Sequence, residues 1–128
     1  MCRVLVADEE GKSRDLLVQA LSMDGHQTSV TASAGEALTR VAEGQVDVLI
    51  AEVHLQDRPG WALLPDVHRL DPSIPVIAVS TDDSWETSKR VRTEAGPVFY
   101  YGLKPLDLKE IREVTQAAAE WKRQRSMG

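Results

Sequence analysis

The chain has 128 residues, 42% of them hydrophobic, a formal charge of −5 with acids and bases interspersed, and a single cysteine. That length suits one domain with its own core. The mixed negative charge lacks the basic stripe that direct DNA or RNA contact needs, and one thiol, Cys2, excludes an internal disulfide or a Cys-rich metal site.

In chain order, the first apolar run, Arg3 to Ala7, reads as a strand, and Ser13 to Met23 follows as a helix with Leu16, Leu17, Ala20 and Leu21 on one face. Asp24-Gly25 ends it. Gln27 to Thr31 is the second strand, and Ala34 to Ala42, closed by Glu43-Gly44, the second helix. Val46 to Ala51 is the third strand, followed by a helix from Trp61 to Leu70 that Asp71-Pro72 stops. Pro75 to Val79, a helix from Trp85 to Glu94, a fifth strand from Val98 to Leu103 and a last helix from Leu108 to Lys122, capped by Asp107, complete the series. No run nears the roughly 18 apolar residues of a membrane span, and Met1-Cys2-Arg3 leads directly into a strand rather than a signal peptide, so no membrane contact and a cytoplasmic location are expected.

The first, third and fourth strands are apolar on both faces, as a parallel sheet covered by helices on both sides requires. The fold class is therefore α/β: a flavodoxin-like, doubly wound (βα)5 domain with five parallel strands in the order 2-1-3-4-5. We assign residues 1–122 to this domain and 123–128 to a polar tail or the start of a linker, expected to fray.

In such a sheet the ligand crevice opens beyond the carboxyl ends of the strands where the winding reverses, between the first and third. Asp8, Glu9, Glu10 and Glu52 follow those two strands, Ser80 and Thr81 follow the fourth, and Lys104-Pro105 the fifth. Any one of them alone is more simply a turn residue, a cap or a solvated charge. Together they place an acid cluster, a hydroxyl and an ammonium on one rim.

The stretches "VLVADEE", "DVLIAEVHLQDRPG", "PVIAVST" and "YGLKP", in this order and spacing, resemble the receiver domain of two-component response regulators over nearly the full length. The resemblance implies that Asp8 and Glu9 stand where an acidic pair holds Mg²⁺, and that His54 stands where a main-chain carbonyl is a further metal ligand. It places Glu52 at the aspartate that accepts phosphate from a histidine kinase. Ser80 and Lys104 match the groups that contact the phosphoryl, and Tyr101 the aromatic that changes rotamer on activation, so that Ser80 and Tyr101 form the switch. It also implies a non-enzymatic module whose protein partners, a histidine kinase, an output domain or a second copy of the chain, meet the face of the fourth helix, fifth strand and fifth helix, where Trp85 and Tyr101 lie. Three departures stand out: Glu52 for aspartate, Glu9 in the pair, and Gln56 for the usual proline after the acceptor.

One extra methylene moves the Glu52 carboxylate outward by roughly 1.5 Å, and in phosphoryl transfer a misplacement of about 1 Å can cost roughly 10²-fold. Mg²⁺ is equally strict about ligand position. The expectation is a poor phosphate acceptor with weakened Mg²⁺ binding, whose carboxylate partly imitates a phosphorylated aspartate by pairing with Lys104. A phosphoryl group carries roughly −1.5 to −2 charges and three acceptor oxygens, so one carboxylate supplies only part of its pull on Ser80. An ordinary phospho-accepting receiver using Glu52 or a neighbour such as Asp57 stays open, as does a salt bridge left over from a lost site; a flavodoxin-like cofactor binder fits less well, because "ADEEGKS" offers acids where phosphate binding wants donors. His26, His54 and His68 lie on separate elements without metal spacing, and surface or turn roles are expected of them.

Overall fold

The computed structural model describes residues 2–9, 11–94 and 97–127. Elements alternate as β1 (Arg3–Ala7), α1 (Gly11–Met23), β2 (Gln27–Thr31), α2 (Ala34–Ala42), β3 (Val48–Glu52), α3 (Gly60–Leu70), β4 (Val76–Ser80), α4 (Trp85–Thr93), β5 (Tyr100–Leu103) and α5 (Leu108–Met127). The strands form one parallel sheet in the order β2-β1-β3-β4-β5, with Ala7 opposite Ala51 and Glu52 opposite Val79. This is the doubly wound arrangement expected from the β-α alternation.

Side chains that alternate along a strand point to opposite faces, and the core divides accordingly. Leu5, Ala7, Leu49, Ala51 and Val76 pack under Ala37 and Val41 of α2 and Leu63, Leu64 and Val67 of α3. Val4, Val6, Val48, Ile50, Ile77 and Val79 pack under Leu17 and Leu21 of α1 and Ile111 and Ala118 of α5. β3 and β4 are buried at every position, whereas β2, at the sheet edge, leaves most of its side chains to solvent. Residue 52 thus ends a strand with helices above and below, so its carboxylate has nowhere to go but along the carboxyl edge.

Helix ends follow local chemistry. Gly25 and Gly44 take positive φ values of 88° and 73°, closing α1 and α2 as the Asp-Gly and Glu-Gly pairs led us to expect. Ser33 and Ser84 cap α2 and α4 by accepting the amides of Glu36 and Thr87. Asp107 caps α5 by accepting the amide of Lys109 at 3.0 Å. Two expectations change. α5 runs on through the polar segment to Met127, beyond the expected end at Lys122, with the Arg123–Glu120 pair and the Arg125 guanidinium 4.6 Å above the Trp121 ring along it. His26, expected at the surface, is buried, with Nδ1 3.5 Å from Cys2 Sγ. No helix among the described residues is long and apolar enough to cross a membrane.

Candidate functional site

Five loops meet at the carboxyl edge, and Lys104 organises the centre. It leaves the end of β5 ahead of a cis peptide to Pro105, and its amide donates to Ser80 O at 2.7 Å, tying β5 to the end of β4. Its ammonium lies 2.6 Å from Asp8 Oδ2 and 2.8 Å from Glu52 Oε2, and its side chain is only 4% exposed. Each pair is worth about 6 kcal/mol at an effective dielectric near 20 before desolvation, which offsets much of it. Burial alone pulls the Lys104 pKa down; the hydrogen bonding of its ammonium to the Asp8 and Glu52 carboxylates, and their negative charges, more than reverse this, holding it above its ordinary value. The ammonium meets Glu52 Oε2 as a close ion pair, while Glu52 Oε1 accepts the His54 amide in a long bond of 3.4 Å.

The excess of acid over base at this edge is relieved by division of labour. Asp8 and Glu52 share the ammonium, and Glu9 turns to the β3–α3 loop, where its Oε1 accepts the Gln56 amide at 2.8 Å. Glu10 lies outside the described residues. Among the described residues no three acidic, histidine or cysteine side chains converge as a metal site. The arrangement therefore disfavours a divalent cation: the ammonium sits between the two carboxylates that a metal would need, and the third acid faces a backbone amide.

Ser80, fully buried, accepts the Asp82 amide at 2.9 Å. Tyr101 is packed inward against the cluster of Val53, Ala78 and Val91, and its hydroxyl donates to Asp82 O at 3.3 Å. Burial raises the Tyr101 pKa, a hydrogen bond with Ser80 opposes this, and the charges of Asp82 and Glu52 raise it further. His54 reaches across with Nε2 3.0 Å from Asp82 Oδ2 and stands edge-on to Trp61 at 5.5 Å.

Three residues take roles at this edge that the sequence reading did not give them. Asp82 is a hub: besides Ser80, Tyr101 and His54, its carboxylate takes the Ser84 amide at 2.8 Å and the Thr87 hydroxyl at 2.5 Å, and these bonds hold its pKa well below the usual carboxylate range. The run "TDDSW" ahead of a helix was the available signal, since Asp and Ser there favour caps and side-chain turns. Asp57, weighed as a spare phosphate acceptor, instead caps α2 from another loop, accepting the amides of Ala34 at 2.9 Å and Gly35 at 3.0 Å and the Ser33 hydroxyl at 3.2 Å; its pKa falls to about 2. Gly60 is the third: a Cβ there would come within 2.6 Å of Glu52 O and 2.8 Å of Val53 Cα, so only glycine lets α3 start against the end of β3.

At the far side of α4, Trp85 is 67% exposed with the Arg92 guanidinium 4.8 Å over its ring. Trp61 is half-buried against the core instead. Tyr100 and Tyr101 face opposite sides of the sheet, as neighbours on a strand must.

Comparison with known proteins matches this architecture. The sequence profile of the response regulator receiver domain matches residues 4–116. The chain is 34% identical over 115 residues to the DNA-binding transcriptional regulator NtrC of Azospirillum brasilense, covering 90% of this chain and 24% of that protein. It is 35% identical over 118 residues to the NtrC of a Bradyrhizobium species, covering 91% and 24%. The chain thus spans about a quarter of the length of these curated relatives. Among solved structures, a CheY-like receiver domain protein from Methanospirillum hungatei superposes with a TM-score of 0.87 at 25% identity, covering 98% of each chain. The signal receiver domain of an HD domain-containing protein from Pseudomonas fluorescens does so with a TM-score of 0.90 at 25% identity, covering 98% of this chain and 91% of that one. The chain belongs to the response regulator receiver domain family of two-component systems, whose members work with histidine kinases and output domains and typically bind Mg²⁺ at the phosphorylation site.

Proposed function

We propose that this chain is a degenerate receiver, a signalling module without enzymatic activity in which Glu52 replaces the phosphate-accepting aspartate and partly imitates its phosphorylated form. The observation that carries this reading is the buried Glu52 Oε2–Lys104 Nζ pair at 2.8 Å. Had the carboxylate swung to solvent, the longer side chain would be no more than a lost acceptor. The imitation is half of the natural set, because Lys104 is engaged while Ser80 is bonded to the Asp82 amide instead. Mg²⁺ binding is weakened by the same arrangement.

The output is contact with protein. Its surface is the face of α4, β5 and α5, where Trp85 and Leu103 lie exposed; the partner is an output domain, a kinase or a second copy of the chain. The relatives named as DNA-binding transcriptional regulators support a part in that kind of control, and the net charge of −5 favours a regulatory share for this domain over direct nucleic-acid contact. We place it in the cytoplasm.

The test is to treat the chain with a small-molecule phosphodonor and Mg²⁺ and weigh it intact. We expect no Glu52-dependent gain in the wild type and a phosphoryl gain in Glu52→Asp; a stoichiometric gain on Glu52 itself sinks the degenerate reading. Hydrogen exchange of α4 and β5 then probes the imitation. Wild type should lie between Glu52→Gln and phosphorylated Glu52→Asp, and wild type identical to Glu52→Gln removes it.

A further inference from the structure

The two acids of the β1–α1 loop have parted company. Asp8 is buried and faces Lys104, whereas Glu9 leans over the rim and accepts the main-chain N–H of Gln56 at 2.8 Å. The bond joins the β1–α1 loop to the β3–α3 loop, the same two loops that a cation held by Asp8, Glu9 and Glu52 would join. It is a hydrogen bond to a charged acceptor, the stronger kind. The next residue, Asp57, is itself fastened to the start of α2 by the amides of Ala34 and Gly35, so the Gln56 amide is presented to Glu9 by a loop already held from its other side. The bond also depends on what stands at position 56. Any residue but proline supplies the N–H; proline, with none, leaves the Glu9 carboxylate to solvent.

We propose that Glu9 and the Gln56 amide form a clasp that replaces the divalent cation: it closes the two loops without metal and removes the third carboxylate from coordination. This deepens the reading of a degenerate receiver by saying how its site is kept metal-independent, and it rests on that reading only for its setting. Binding a cation here requires two costs at once, breaking the clasp and drawing Asp8 and Glu52 off the Lys104 ammonium. Removing the N–H should lift the first cost and leave the second. Position 56 therefore acts as a selector between a metal-closed and a metal-free site, through its backbone and not through its side chain.

The experiment measures Mn²⁺ binding by calorimetry, and melting temperature without metal, for the wild type, Gln56→Pro, Gln56→Ala and Glu9→Ala. Gln56→Pro should bind Mn²⁺ about tenfold more tightly than the wild type, the gain expected when a charged hydrogen bond no longer competes. Gln56→Ala keeps the N–H and should match the wild type. Glu9→Ala should lower the metal-free melting temperature. A wild type that binds Mn²⁺ as tightly as Gln56→Pro overturns the proposal. So does a rise in melting temperature on Glu9→Ala, the result expected if Glu9 does no more than crowd other acids. Should Gln56→Pro not fold, the direction of the Glu9→Ala shift decides alone. None of these readouts involves phosphorylation, so a phosphorylatable Glu52 with an intact clasp, or the reverse, is distinguishable.

Discussion

The acids at the carboxyl edge fall into two groups that differ in depth and in partner. Asp8 and Glu52 are buried and share one ammonium; Glu9, Asp57 and Asp82 sit at the rim and are satisfied by backbone amides and hydroxyls from neighbouring loops. The difference follows from desolvation. A carboxylate taken out of water needs a full countercharge nearby, while a solvated one can spend its lone pairs on orienting loops. The inner group thus holds charge, and the outer group holds the shape of the edge around it.

The sharpest way to break the comparison is to remove the countercharge. Lys104→Met leaves Asp8 and Glu52 facing each other without a cation and should cost about 3–5 kcal/mol in urea unfolding, with much of the loss recovered in Lys104→Met/Glu52→Gln. Equal stability of the single and double variants would show that the two carboxylates are not held by one charge. Next in size is Gly60→Ala, whose Cβ collides with the backbone of Glu52 and Val53 and not with a yielding side chain. We expect a loss of about 1–3 kcal/mol, together with amide chemical-shift changes centred on Glu52 and His54.

The outer group should respond more gently. Asp57→Ala removes the cap of α2 and should cost about 1 kcal/mol. Its pH dependence has a defined sign. The folded pKa of about 2 lies below the ordinary 3.8, so the contribution is fully present above pH ~4 and is lost as pH falls through the folded value. Unfolding curves collected between about pH 4 and pH 2 should accordingly be steeper in pH for the wild type than for Asp57→Asn. Trp85→Ala should have the smallest effect on stability, within about 0.5 kcal/mol, because the ring is largely in solvent. If the face of α4 carries the partner, the same change should abolish binding in a pull-down that the wild type passes.

Much of the fold could be read in advance because it is written in local pattern. Double-sided apolar runs marked β1, β3 and β4, and Gly25 and Gly44 marked helix ends to the residue. Strand boundaries were off by one or two positions, as for β3, whose ladder begins at Val48 and takes in Glu52 itself. The missed features were all non-local. Nothing near Asp57 in the chain announces that it caps α2, more than twenty residues earlier, because a cap is normally supplied by the residue just ahead of its helix. Nothing local marks Gly60 either: its need for glycine comes from the carbonyl of Glu52, which lies where a side chain would be.

Sequence alone determined which groups stand at the carboxyl edge, since strand order and the alternation of elements deliver Asp8, Glu9, Glu52, Ser80 and Lys104 to one rim. Only the tertiary structure decided how they pair. Lys104 and Asp8 are 96 residues apart, and the choice of Asp8 and Glu52 over Glu9 depends on ångström-scale loop paths that no local pattern encodes. Coulomb and hydrogen-bond energies change steeply over those distances, so the same five residue types can hold a cation, a phosphoryl group or one another.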